Sequence, residues 1–130
     1  MAFLVDTDWA VDYLRGVSAV AERVAELAAD GLGLSIISLA ELYEGVYYSR
    51  DPEASSGALA RFLRIVQVLP IDEAMCRIFA RERGRLRAAG ASIGDLDLLI
   101  GATALRHGLT LLTNNRRHFE RLEGLGIVSV

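Results

Sequence analysis

The sequence predicts an α/β domain: a central parallel five-stranded sheet covered on both faces by helices. Three observations lead there. Short apolar runs alternate with segments of helical period along the chain, the pattern of strand–helix–strand units. The first of those runs, Phe3-Leu4-Val5, is apolar throughout, as a central strand buried on both faces is. Hydrophobic side chains make up 52% of 130 residues, enough for one sizeable core. No repeat, low-complexity tract or linker divides the chain, so residues 1–130 read as a single domain.

Phe3-Leu4-Val5 is the first strand and ends at Asp6. Asp6-Thr7-Asp8 can cap a helix from about Trp9 to Arg15, stopped by Gly16. Ser18 starts a second helix, roughly 19–30, with Val20, Val24, Leu27 and Ala28 at helical spacing. Leu34-Ser35-Ile36-Ile37 is the second strand. Ser38 and Glu41 then match a capping box and open a helix to about Tyr48. Asp51-Pro52 breaks the chain before a helix at 53–65. Val66 to Leu69 is the third strand. Asp72 caps a long helix to about Ala89, ended by Gly90. A helix over 95–107, stopped by Gly108, leads to the fourth strand at 109–113. A short helix near 116–122 precedes the fifth strand, 127–130.

Composition narrows the function classes. The formal charge is −3, unlike a general nucleic-acid coat protein. All fourteen basic residues are arginine, so no mechanism that needs a lysine is open to this chain. No apolar run approaches the ~18–20 residues that span a membrane, and the five residues before the first charge are too few for a signal peptide. The one cysteine, Cys76, cannot form an internal disulfide, which fits a reducing cytosol.

The helix from Gly94 to Leu105 organises the rest. It is apolar nearly all round, hence buried, yet it opens with Asp95 and Asp97. Acids there suit the helix dipole, but a buried helix with acids at its mouth needs something to neutralise them. Asp6 ends the first strand, Glu41 lies one turn beyond the second, and Thr113-Asn114-Asn115 ends the fourth. In open parallel sheets, sites form at the carboxyl ends of the strands where strand order reverses. Asp6, Glu41 and Asp97 are therefore expected at one edge. Packed carboxylates repel; a hard divalent cation removes the repulsion, and oxygen-only ligands suit Mg²⁺ or Mn²⁺. His107 and His118 each sit beside arginine and are expected to be exposed, outside any zinc cluster. Each residue has a plainer reading: Asp6 as a helix cap, Glu41 as half of a capping box, one of Asp95 and Asp97 as a helix-start acid, Asn115 as a turn residue.

Phe-Leu-Val-Asp-Thr at 3–7, Ser-x-x-x-x-Ala-Glu-Leu ending at Leu42, Ile-Gly-x-x-Asp-Leu-Leu-Ile-Gly-Ala-Thr-Ala at 93–104 and Leu-Thr-Leu-Leu-Thr-Asn-Asn with Phe119 downstream resemble the PIN domain. They resemble its VapC branch, the toxins of VapBC toxin–antitoxin pairs, along the whole chain. The resemblance implies a three-layer α/β/α sandwich and a Mg²⁺- or Mn²⁺-dependent ribonuclease, with RNA as substrate, a cognate antitoxin as partner, and a homodimer. It carries the family's acids onto Asp6, Glu41 and Asp97. Asn115 stands where many PIN domains have a fourth acid. Asp95 would stand behind the ligands, and the hydroxyls of Thr7 and Thr113 would orient ligands or water.

Arg77, Arg81 and Arg85, with Arg83 and Arg87 nearby, form either a solvated helix face partly paired with Glu73 and Glu82, or an RNA-backbone contact. Arg15, Arg116 and Arg117 are expected nearer the site, as RNA contacts. Tyr43 and Tyr47 share a face, with Tyr48 beside them; they read as core, or as a groove for an antitoxin helix. Two other functions remain open. Val5-Asp6-Thr7-Asp8 also resembles the strand end of haloacid-dehalogenase-type phosphatases, which normally use a lysine. A non-catalytic PIN-like module that binds RNA or protein is the other, with Asn115 its best support.

Overall fold

The computed structural model describes all of residues 1–130. Five strands, β1 (Phe3–Val5), β2 (Leu32–Ser35), β3 (Gln67–Leu69), β4 (Thr110–Leu112) and β5 (Ile127–Val128), form one sheet in the order β3-β2-β1-β4-β5. Every pairing is parallel. β1 is central: Phe3 faces Leu32 on one side and Thr110 on the other. Strand order reverses between β1 and β4, which makes that junction the switch point.

Seven helices cover the sheet: α1 (Thr7–Leu14), α2 (Ser18–Leu27), α3 (Ile36–Tyr47), α4 (Pro52–Phe62), α5 (Glu73–Ala88), α6 (Asp95–His107) and α7 (Arg116–Phe119). Side chains alternate across a strand, and the core divides accordingly. Val5, Leu34 and Leu112 pack with Trp9, Val24, Leu42 and Phe62, from α1 to α4. Their neighbours Leu4 and Leu111 pack with Leu86, Ile100, Ala104 and Phe119, from α5 to α7. The helices are thus split between the two faces, as the sequence predicts. Trp9, Phe62 and Phe119 are wholly buried, each contributing about 1.5–3 kcal/mol by burial.

Helix α6 matches its expected bounds, Asp95–His107. Gly108 ends it in the left-handed region at φ +65°, where its lack of Cβ removes the steric penalty. Six of the helix's residues are buried. Gly101 lets the helix approach the chain after α7: a Cβ there would overlap the Leu122 side chain.

The helices expected to end near 30, 65 and 122 end at Leu27, Phe62 and Phe119, β5 is shorter than expected, and two further boundaries shift because of their caps. β2 runs from Leu32 to Ser35 rather than over 34–37, because Ser35, not Ser38, caps α3: its hydroxyl accepts the Ile37 N–H at 3.1 Å. Helix α1 starts two residues early because Asp6 itself is the cap, accepting the Thr7 N–H at 2.8 Å. No helix is long and apolar enough to cross a membrane.

Candidate active site

The carboxyl ends of β1 and β4 lie side by side, and a buried polar residue leaves each of them, Asp6 and Thr113. Asp6 leaves β1 and is only 4% exposed. Thr113, fully buried, leaves β4 and donates its hydroxyl to Asp6 Oδ2 at 2.7 Å, while the Thr113 hydroxyl oxygen accepts the Asn115 N–H at 2.9 Å. Asp8, in the first turn of α1, accepts the backbone N–H of Trp9 at 2.7 Å and of Asn114 at 3.0 Å. The Asn114 side-chain oxygen accepts the Trp9 indole N–H at 3.1 Å and the Val130 N–H at 3.0 Å. The loop after β4 is thereby fixed to the start of α1.

Glu41 is not half of a capping box. With Ser35 as the cap, Ser38 and Glu41 fall three residues apart inside α3, on one face. That face meets α1: Thr7 donates its hydroxyl to Glu41 Oε1 at 2.7 Å, and Ser38 Oγ lies 2.9 Å from the Thr7 hydroxyl.

Asp97 enters from the first turn of α6. Its Oδ2 lies 2.9 Å from His118 Nδ1 and 3.4 Å from Asn115 Nδ2, and the latter two are 3.0 Å apart. His118 is therefore not an outlying surface residue, as its arginine neighbours suggest; one turn of α7 sets it beside Asn115. Asp95 points elsewhere and pairs with Arg83, which also stacks over the Phe79 ring.

The three acids reach one sheet edge but not one point. Glu41 is held by Thr7, Asp6 by Thr113 and Asp97 by His118 with Asn115, and no three His, Cys, Asp or Glu side chains stand in an arrangement that holds an ion by themselves. The physical reason is charge. No arginine pairs with Asp6, Asp8, Glu41 or Asp97, and the only ion-pair partner among them is His118, on Asp97. Unneutralised carboxylates repel and turn to neutral donors instead. Burial, followed by the nearby Asp8 charge, pushes the Asp6 carboxyl up to about 8, against the lowering pull of the Thr113 hydroxyl and the Thr7 N–H. An oxygen-rich donor set with no arginine partner fits a hard divalent cation by its chemistry.

The arginines divide. Arg85 forms a bidentate pair with Glu82 at 3.0 and 3.0 Å, and Glu82 also accepts the Glu123 N–H at 2.9 Å. Glu82 is 1% exposed, so this side of α5 is not a solvated face. Arg85 further reaches the Arg121 carbonyl, and Arg121 reaches that of Ser92 at 2.9 Å, latching α5 to the segments flanking α6 and α7. Arg77 pairs on the surface with Glu73. Arg116 is tied to Glu120 and Ser129, whereas Arg117 is exposed and forms no ion pair. Arg15 stands at the C-terminal end of α1, away from the acids. An eight-residue helix is about 12 Å long, and Arg15 lines a groove with Val11, Leu14, Leu42 and Val46 instead. That groove, of about 470 Å³, lies between α1, α3 and α4. Tyr48 lines it too, and Tyr47 and Tyr48 are 82% and 85% exposed, so the tyrosines are not core.

Of these residues, sequence reading missed Asp8, Ser38 and Asn114 as parts of the site, and misplaced His118. The Asp-x-Asp spacing after a strand was the available signal for Asp8. Nothing local announces His118.

The chain and its fold are similar to those of known proteins. The family model described as "PIN domain" matches residues 3–125. The chain is 39% identical over 118 residues to Ribonuclease VapC19 of Mycobacterium tuberculosis, covering 89% of this chain and 90% of that one. It is 29% identical to the tRNA(fMet)-specific endonuclease VapC of Shigella flexneri over 125 residues, 96% of this chain and 95% of that one. The fold is similar to the crystal structure of VapBC2 from Rickettsia felis bound to a DNA fragment from their promoter. The TM-score is 0.93 at 27% identity, over 100% of this chain and 99% of that one.

Proposed function

The chain belongs to the PIN domain family, and from that premise we propose that it is a divalent-metal-dependent endoribonuclease of the VapC type, held in check by a cognate antitoxin. The observation that carries this reading is the arrival of Asp6, Glu41 and Asp97, each from a different element, at the switch-point edge with no arginine paired to any of them. Family membership and the absence of lysine leave no room for the phosphatase alternative.

Asp6, Glu41 and Asp97 would hold a Mg²⁺ or Mn²⁺ ion, which when bound polarises a phosphoryl oxygen and lowers the pKa of water. The rest is the work of this chain's own side chains. Thr113 orients Asp6, Thr7 orients Glu41, and Asn115 with His118 holds Asp97. Asp8 fixes the loop after β4. Arg117, exposed and without an ion pair, serves RNA phosphates at the site's rim. Arg83 and Arg87 line a cavity of about 180 Å³ beside the mouth of α6, where Arg83 is paired with Asp95 and Arg87 forms no ion pair. The groove between α1, α3 and α4, lined by Tyr48 with exposed Tyr47 its neighbour in the chain, suits an amphipathic antitoxin segment. A homodimer belongs to the same reading and would be seen by sedimentation.

The test is to incubate purified chain with total cellular RNA in Mg²⁺, in Mn²⁺ and in chelator, and to map new 5′ ends. Asp97→Asn runs in parallel. Discrete metal-dependent cuts that the variant fails to make are expected. Folded, antitoxin-free protein that cuts no RNA would leave a non-catalytic binding module as the better description.

A further inference from the structure

We propose that the cavity between the end of α5 and the mouth of α6 is a nucleobase subsite, taking a guanine of single-stranded RNA that Asp95 and Arg87 read. The subsite deepens the nuclease reading and rests on it for RNA as the class of ligand.

The cavity is built as a base pocket. Leu86, Ile93 and Leu98 give it an apolar floor, and Arg83, Arg87 and Asp95 form its polar rim. At about 180 Å³ it is smaller than the ~300–1,000 Å³ pockets that bury a drug-sized ligand. One planar ring system suits it better than a whole nucleotide. Its wall is fixed before any ligand arrives. Arg121 donates to the Ser92 carbonyl at 2.9 Å, and the Ala91 N–H donates to the Leu86 carbonyl at 2.9 Å. Arg83 lies over the Phe79 ring, its Cζ 4.9 Å from the centroid, which restrains the guanidinium plane. Single-stranded bases stack on such planes.

The rim selects an edge. A carboxylate accepts and does not donate, and its two oxygens hold about four lone-pair sites. Arg83 engages one oxygen of Asp95, whose side chain is 67% exposed, and the remaining lone pairs are open. Arg87 is exposed and forms no ion pair, so its donors are open too. Among the four RNA bases, guanine alone sets two adjacent donors, N1–H and N2–H, beside the acceptors O6 and N7. Uracil has one donor between two acceptors. Adenine and cytosine each set an amino donor against a ring acceptor. Two N–H bonds to Asp95, with O6 and N7 facing Arg87, therefore fit guanine.

Position agrees with that use. Asp95 and Asp97 share the first turn of α6 but turn to opposite sides, Asp95 to Arg83 and Asp97 to His118. About one helix diameter, ~10 Å, separates those sides. A strand crossing the mouth of α6 reaches both, with its base in the cavity and its backbone passing Asp97.

The experiment uses the full chain in chelator, so that binding is read without cleavage. Fluorescence anisotropy measures affinity for short labelled uridine strands that carry guanine, adenine, cytosine or inosine at one central position. Guanine is expected to bind about five- to a hundredfold more tightly than adenine. Inosine, which lacks the N2 amino group, should fall between them. Asp95→Asn, checked for native circular dichroism, should erase the guanine preference, and Arg87→Ala should reduce it. The preference is a ratio, so a general loss of folded protein does not mimic its disappearance. Arg77→Ala, on the same helix but outside the cavity, should leave the ratio unchanged. Equal affinity for all strands, preference for another base, a preference intact in either cavity variant, or no binding of any strand would each overturn the proposal. Metal-dependent cuts in cellular RNA alongside equal affinities would remove the subsite and leave the nuclease standing. Guanine-selective binding by a chain that cuts no RNA would uphold the subsite and remove the nuclease.

Discussion

Thr7 gives its hydroxyl proton to Glu41 across 2.7 Å, and that bond joins the first turn of α1 to the middle of α3. Without it, Glu41 is a carboxylate on a helix face with nothing to aim it. Thr7→Val keeps the shape and removes the donor. It should lower RNA cleavage by about ten- to a hundredfold, as loss of a group that orients a ligand does, while costing only about 1 kcal/mol of stability. Thr7→Ser should restore most of the activity. Cleavage rates and thermal melts of the two variants separate aim from fold.

Asp6 makes stability fall with rising pH. Its carboxyl sits at about 8 in the fold and at 3.8 as a free side chain. Below about 4 both states are protonated and burial costs nothing. Between about 4 and 8 the folded chain keeps a proton that the unfolded chain has released, so stability declines across that window. Above it the charged form is buried at full cost. In metal-free protein, Asp6→Asn, which still caps α1, should be more stable than wild type at pH 8 by an amount on the order of a few kcal/mol. The gain should vanish near pH 4. Urea melts at several pH values measure it.

Glu82 works in the opposite direction. The Arg85 hydrogen bonds, opposed by burial and aided by the Glu123 N–H, hold its carboxyl below the usual range. Its stabilisation is present at neutral pH and is lost as pH falls through that lowered value. Glu82→Gln breaks the latch between α5 and the loop after α7 and should cost about 1–3 kcal/mol at pH 7. The difference from wild type should shrink in acid. Chemical denaturation at pH 7 and pH 3 checks both halves.

Gly101→Ala should destabilise the fold although alanine favours helices. The added Cβ overlaps Leu122, which is 3% exposed. Overpacking of this kind costs about 1–3 kcal/mol, against a propensity gain of up to ~1 kcal/mol. Combined with Leu122→Ala, the Gly101 change should lose its cost. A double-mutant cycle in guanidinium reads the coupling directly.

Tyr47→Ala and Tyr48→Ala should leave unfolding within about 0.5 kcal/mol of wild type, because both side chains are exposed. Each should weaken capture by the cognate antitoxin by at least about 1 kcal/mol if the groove is where it docks. Calorimetric titration of both variants tests the surface independently of catalysis.

Much of this was legible in the chain. The strands around Leu4 and Leu111 announce themselves as short apolar runs, and α6 carries its own start and stop in Gly94 and Gly108. The convergence of Asp6, Glu41 and Thr113 follows once all strands are taken as parallel. The misreadings have local causes. Ser35 and Ser38 both look like caps, and only packing of Ile37 against the second core decides for Ser35. His118 lies between an arginine and a phenylalanine in the chain, whereas its partner Asp97 is 21 residues away. Arg15 is near Asp6 in sequence but at the other end of a helix. Long-range pairs and helix ends are the two things that short-range pattern leaves undetermined.

The bond between Thr113 and Asp6 spans 107 residues, and that span has a consequence in time. β1 is made first but is hydrogen-bonded on one flank only by β4, near the end of the chain. As synthesis proceeds, Asp6, Asp8, Ser38 and Glu41 emerge early; Asp97, Thr113 and Asn115 emerge last. Because non-local parallel pairing waits on loop closure, a nascent chain cannot carry a finished site until β4 has emerged. The groove of α1, α3 and α4 comes wholly from the first half. A partner that docks there can therefore engage the chain before it is able to cut anything.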